Sequence, residues 1–172
     1  LGQFFEAYVE MRDGFAFNKK TNKRIVACVP MHVFGNPVEM ESLLRLCDEY
    51  NVILIEDAAE SLGSFYKGQH TGIVGKMGIF SFNGNKIVTC GGGGMIVTND
   101  EVIAKRGKHL TTTAKQPHPW KFYHDEVGYN YRLPNLNAAL ACAQMESLPA
   151  FIESKRETAK VYNTFFSTVD VK

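Results

Sequence analysis

Ile25-Val26-Ala27-Cys28-Val29, ended by Pro30, is one short apolar run, and Val52-Ile53-Leu54-Ile55 is another. Between them, Asn36-Pro37-Val38-Glu39 has the order of a helix start: Asn as the cap, Pro at the first helical position, an acid three after the cap. Met40, Leu43, Leu44 and Cys47 then recur at i, i+3, i+4 and i+7, an apolar stripe on a helix that ends near Tyr50-Asn51. Strand, crossover helix and strand make a βαβ unit. Val52 to Ile55 is apolar at every position, as a strand buried on both faces of a parallel sheet would be. The fold class that follows is α/β with a mostly parallel central sheet and flanking helices.

Outward from this unit the pattern continues. Leu1, Phe4, Phe5, Tyr8 and Met11 recur at helical spacing, so residues 1–12 are expected to end an amphipathic helix. Residues 14–24 resemble a short hairpin with a polar tip at Lys19 to Lys23. Downstream, Gly78 to Phe82 and Met95 to Thr98 are expected as strands, separated by an irregular segment that holds Lys86 and the run Gly91 to Gly94. Asn99 is expected to cap a helix reaching about His109. After a polar, proline-bearing loop, Asn135 starts a helix rich in alanine and Pro149 opens a last one. The expected division is residues 1–148 as the central part of one large domain and 149–172 as a helix leading toward a second, small one.

The totals exclude several classes. Of 172 residues, 45% are hydrophobic and 22% charged, which is the profile of a folded globular chain. A net charge of +1 does not favour nucleic acid, and no apolar run approaches the ~18–20 residues that span a bilayer. Cys28, Cys47, Cys90 and Cys142 form no C-x-x-C pair and the histidines have no metal-ligand spacing, so no metal site is expected. Dispersed free thiols fit a reducing compartment, here the cytoplasm. The chain begins at Leu1 inside an expected helix and reaches Lys172 without a finishing signal, so a piece of a longer protein is expected.

Ligands of open α/β sheets sit beyond the carboxyl ends of the strands. Asp57 follows the strand Val52 to Ile55 directly, Ser81 stands at the end of the next, and Lys86 lies in the loop after it. A carboxylate, a hydroxyl and an amine at such strand ends are what pyridoxal phosphate requires: a partner for the pyridinium nitrogen, a phosphate donor and a group for covalent attachment.

Five ordered motifs extend the comparison: Val29-Pro30-Met31-His32-Val33-Phe34-Gly35, Ile55-Glu56-Asp57-Ala58-Ala59-Glu60-Ser61-Leu62-Gly63, Phe80-Ser81-Phe82-Asn83-Gly84-Asn85-Lys86, Gly91-Gly92-Gly93-Gly94-Met95 and Gly128-Tyr129-Asn130-Tyr131-Arg132-Leu133. From about residue 25 onward the chain resembles the DegT/DnrJ/EryC1/StrS sugar aminotransferases, within the fold-type I pyridoxal-phosphate enzymes. The subgroup that makes 4-amino sugars for legionaminic acid, bacillosamine or perosamine is the nearest in text.

The resemblance implies a role for each matching residue. Lys86 would attach the cofactor and carry the acid–base proton. Asp57 would pair with the pyridinium nitrogen, Ala59 would pack on the ring, and Ser81 would bind the phosphate. Glu60 would face the phenolic oxygen, where two negative charges repel unless one holds a proton. Asn130 would reach the phosphate in the partner subunit's site, making a homodimer with shared active sites. His32 would lie at the site mouth and bind substrate; a structural histidine at a strand end is the other reading. Arg132 is expected to be structural.

The reaction implied is amino transfer, with glutamate as donor and a nucleotide-linked 4-keto-6-deoxy sugar as acceptor, in polysaccharide or glycan biosynthesis. Relatives with His in place of the lysine are dehydratases, so a sugar dehydratase on the same fold is the alternative, beside a non-catalytic fragment. Family members are roughly twice this length.

Overall fold

The computed structural model of the chain describes residues 1–169. In chain order its elements are α1 (Gly2–Tyr8), β1 (Val9–Arg12), β2 (Phe15–Asn18), β3 (Ala27–Cys28), α2 (Met40–Glu49), β4 (Ile53–Asp57), β5 (Phe65–Tyr66), β6 (Gln69–His70), β7 (Met77–Ser81), β8 (Gly94–Val97), α3 (Glu101–Thr111), α4 (Asn135–Glu146) and α5 (Leu148–Phe166). The sheet that matters for function has the order β3-β4-β7-β8. Its first three strands are parallel and β8 runs antiparallel to β7. An α/β architecture with a mostly parallel sheet is therefore what the chain adopts. Among the described residues no helix is long and apolar enough to cross a membrane.

The N-terminal helix is shorter than its apolar spacing predicts. It ends at Tyr8, and Val9–Arg12 turns back on Phe15–Asn18 as an antiparallel pair. The reason is the turn: Asp13 and Gly14 both take positive φ, the backbone that a tight hairpin needs. The hairpin expected over 14–24 is present as a second reversal. Phe17 bridges Arg24, and the Asn18 side chain accepts from Lys20 N and Thr21 N across the polar tip. A third hairpin, β5–β6, turns through Lys67 and Gly68, again at positive φ.

Two helix starts also move. Asn36 does not cap α2; its amide donates to Val33 O, and the helix begins at Met40. Residues 36–39 stay outside the helix, and Val38 N donates to His32 Nδ1. At α3 the cap is Asp100 rather than Asn99, its carboxylate accepting from Val102 N and Ile103 N.

Phe5, Val9, Ala16, Met40, Cys47, Val52 and Leu54 form one core, with Leu43 and Leu44 of the α2 stripe packed against it. Phe82, Val88, Cys90 and Ala141 form a second, beneath the loop that carries Lys86. β4 is not buried evenly on both faces: Leu54 and Glu56 are enclosed, whereas Ile53 is exposed.

Candidate active site

Strand register decides which side chains meet. Asp57 pairs with Ile79 on β7, and Met31, extending the line of β3, bridges Asp57 from the other side. Successive side chains of a strand alternate faces. Asp57, Ile79 and Ser81 therefore share one face, at the carboxyl ends of adjacent parallel strands. Glu56 and His32 share the other.

On the first face, Asp57 Oδ1 accepts from Ala59 N at 3.1 Å, and its second oxygen has no hydrogen-bond partner among the described residues. Ser81 Oγ accepts from Asn83 N at 3.3 Å, which leaves its hydroxyl proton free to be donated. Beyond β7 the chain turns, with Lys86 N donating to Asn83 O, and the Lys86 ammonium comes to 3.5 Å from Glu60 Oε1. Both side chains are partly sheltered, 18% exposed for Lys86 and 32% for Glu60. The other oxygen of Glu60 accepts from Phe34 N at 2.8 Å. That N–H is the main reason the Glu60 carboxyl is held below its usual range; partial burial opposes it and Lys86 adds to it.

The second face carries an arrangement that the sequence reading left without a role. Glu56 is fully buried and accepts four hydrogen bonds: from Gly72 N at 2.7 Å, Val74 N at 2.7 Å, Gly75 N at 2.6 Å and His32 Nε2 at 3.0 Å. Because Val38 N occupies His32 Nδ1, the ring hydrogen sits on Nε2 and is donated to the carboxylate. His32 is thus enclosed behind the sheet with both ring nitrogens engaged, and not at the site mouth where it was expected to bind substrate. An acid on the core face of a strand that is otherwise apolar was the signal available for Glu56. Burying a charge there requires a ring of donors.

Asn130 stands apart. It is exposed, bridges Thr112, and is tied by no hydrogen bond to Asp57, Glu60, Ser81 or Lys86. Ala59 is half-buried beside Asp57. A cleft of about 1040 Å³ lies elsewhere, between β8, α3 and residues 131–134; it has no carboxylate, and none of the expected cofactor residues lines it. The glycine run wraps the Lys86 loop: Phe82 N donates to Gly93 O, and Gly91 and Gly93 take positive φ.

His109, Asp125 and Glu126 approach closely enough to resemble a metal set. Each already has a partner: His109 Nε2 meets Asp125 at 2.7 Å and Arg106 pairs with Glu126. They form an ion-pair network that ties α3 to the following loop.

Comparison with known proteins gives the family. A model of the DegT/DnrJ/EryC1/StrS aminotransferase family matches residues 14–172. The pyridoxal phosphate-dependent aminotransferase EpsN of Bacillus subtilis is 42% identical over 144 residues, which is 84% of this chain and 37% of that protein. GDP-perosamine synthase of Escherichia coli O157:H7 is 43% identical over 145 residues, 84% of this chain and 39% of that enzyme. Among solved structures, the aminotransferase TlmJ of Streptoalloteichus hindustanus superposes with a TM-score of 0.82 at 32% identity, covering 88% of this chain and 41% of its own. The chain therefore spans about two fifths of the length of these relatives. With the family's model matched over residues 14–172 and a relative 42% identical over 84% of the chain, the chain belongs to the DegT/DnrJ/EryC1/StrS aminotransferase family.

Proposed function

We propose that the chain is the central part of the large domain of a fold-type I pyridoxal-phosphate aminotransferase, with residues 149–172 leading toward the small domain. The carrying observation is one sheet edge. Asp57 and Ser81 share a face at the ends of adjacent parallel strands, and Lys86 follows in the next loop with its ammonium opposite Glu60. The donor set fits the cofactor's chemistry. Asp57 has an oxygen to offer a pyridinium nitrogen, Ser81 a hydroxyl proton for the phosphate, and Lys86 an amine for covalent attachment. When bound, the cofactor supplies an electron sink for the substrate carbanion.

The chain's own residues do the rest. Asp57 would hold the proton on the ring nitrogen, Ala59 would pack on the ring, and Lys86 would hold the cofactor and carry the acid–base proton. The Phe34 N–H holds the Glu60 carboxyl below its usual range, and Glu60 would face the cofactor's phenolic oxygen. Exposed Asn130, untied to the other residues, reaches the partner's site in a homodimer. The amino donor is glutamate and the acceptor a nucleotide-linked 4-keto-6-deoxy sugar, handled in the cytoplasm for surface glycan synthesis. Two relatives support this reading, the GDP-perosamine synthase named above and PseC of Helicobacter pylori, an aminotransferase of pseudoaminic acid biosynthesis.

The test uses the complete reading frame that carries this chain. Pyridoxal phosphate is added, the bond is reduced with borohydride, and the modified peptide is mapped. A label on Lys86, lost in Lys86→Ala, is expected; a label on another lysine refutes the assignment. Product analysis then expects an amine on the sugar, and a deoxygenated sugar would make the enzyme a dehydratase.

A further inference from the structure

Phe34 is a bulky residue in the left-handed region, with φ 51° and ψ 30°. A ring on such backbone is an outlier that a fold keeps only where its surroundings impose it, and such outliers concentrate at functional sites. Here the surroundings are specific. The Phe34 N–H is held by Glu60 Oε2 at 2.8 Å, and the Asn36 amide closes the turn by donating to Val33 O at 3.1 Å. Gly35 follows at φ 81°, where an added Cβ would meet Ser64 Oγ at 3.0 Å and Glu60 O at 3.3 Å. The turn is therefore seated on Glu60 itself. Yet Phe34 is 85% exposed, so no core interaction among the described residues accounts for its presence or its conformation. The carboxylate that fixes the turn has its other oxygen 3.5 Å from the Lys86 ammonium. The backbone that carries this open aromatic side chain is thus tied to the carboxylate that faces the reactive amine.

We propose that the Phe34 ring is the platform on which the hexose ring of the substrate stacks, an inference that rests on the proposed reaction at Lys86. The reacting carbon must come to Lys86, and Glu60 ties the Phe34 turn to that amine, so the ring is assigned to the sugar and not to the nucleotide. A deoxyhexose presents an apolar face of C–H groups, which an aromatic ring covers without competing for its hydroxyls. Glu60 is then a positioning residue for Phe34 in addition to its role toward the cofactor.

The experiment compares Lys86→Ala, which binds without turnover, with the double variant that adds Phe34→Ala, both in the complete protein. Equilibrium binding is measured for GDP-, UDP- and dTDP-linked 4-keto-6-deoxyhexoses and for the bare nucleotides GDP, UDP and dTDP. Removing the ring is expected to weaken the sugar nucleotide about tenfold, the scale of one aromatic stacking contact, and to leave the bare nucleotide within about twofold. Phe34→Tyr should retain the wild-type affinity. Equal weakening of sugar nucleotide and bare nucleotide would move the platform to the base, and no change for either would remove it; both results overturn the inference. If borohydride labels Lys86 but Lys86→Ala binds none of the sugar nucleotides, the substrate reading itself is wrong and the platform falls with it. A wild type that labels and binds, with Phe34→Ala without effect, sinks the platform alone.

Discussion

Replacing Glu56 by Gln changes one atom and should cost the domain several kilocalories. The carboxylate accepts from four donors: Val74 N and Gly75 N on Oε1, Gly72 N and His32 Nε2 on Oε2. A Gln side chain has one acceptor oxygen and an NH₂. With the oxygen toward Val74 and Gly75, the NH₂ faces two hydrogen donors. His32 can adapt only by moving its hydrogen to Nδ1, which then opposes the Val38 N–H. Turning the amide over strands Val74 N and Gly75 N instead. Either way at least one buried donor loses its partner and two charge-assisted bonds weaken, a cost of about 3–5 kcal/mol. At about 2–4 °C per kcal/mol for a domain of this size, Tm should fall by about 10 °C. Urea unfolding of the complete protein should show a lower midpoint with unchanged slope, and amide exchange at Gly72, Val74 and Gly75 should accelerate before that elsewhere. A Glu56→Gln protein within ~1 kcal/mol of wild type, with those amides still protected, would refute the assignment of the carboxylate as their shared acceptor.

Other consequences are equally specific. Gly78→Ala places a Cβ well inside contact with the Gly72 carbonyl, so the variant should lose more stability than any alanine at an exposed strand position; comparison of urea midpoints checks this. The Asp125 carboxyl is held low by its hydrogen bond to His109, and that of Glu126 by Arg106. Depressed acids stabilise above their unfolded pKa values, about 4, and the contribution is lost as pH falls through the lower folded ones. The exchange protection factors of Gln116 N and Asp125 N, which pin the loop after α3, should therefore fall as the pH drops below about 4. Burial, with Cys28 alongside, pushes the Cys47 thiol up to about 11, whereas Cys142 is exposed. Iodoacetamide at neutral pH should modify Cys142 in the native protein and Cys47 only after denaturation, as peptide mapping would record.

Much of the fold was legible because hydrophobic periodicity carries it. The βαβ unit, the strands ending at Asp57 and Ser81 and the helices opening at Asn135 and Pro149 follow from spacing and punctuation. What periodicity misread were segments where one polar contact overrides it. Residues 1–12 have helical spacing, but Asp13-Gly14 reverses the chain and recruits Val9–Arg12 into a strand. Asn36-Pro37 has the letters of a cap, but the Val38 N–H is taken by a buried histidine and the helix waits until Met40. Asn99 and Asp100 are both good caps, and their order cannot be ranked without the ion pair that Lys76 makes with Asp100. His32 shows the limit most plainly. A histidine at a strand end fits a substrate site and a structural site equally well, and only the register with Glu56 places it behind the sheet.

That register also explains why a structural acid sits next to the one proposed to meet the cofactor. Glu56 pairs laterally with Gly78, which has no side chain, so the segment Gly72–Gly75 can lie against β7 and deliver three N–H groups to Glu56. The clamp holds the end of β4 between its neighbours. Asp57 N donates to Pro30 O, Asp57 O accepts from His32 N, and Ala58 N donates to Ile79 O. Asp57, one residue on and facing the other way, therefore stands on backbone fixed from three sides, and its free oxygen is aimed without a side-chain partner of its own. Positioning a carboxylate through the main chain leaves its charge available to a ligand. Holding it by side-chain donors, as Glu56 is held, would have spent that charge on the fold.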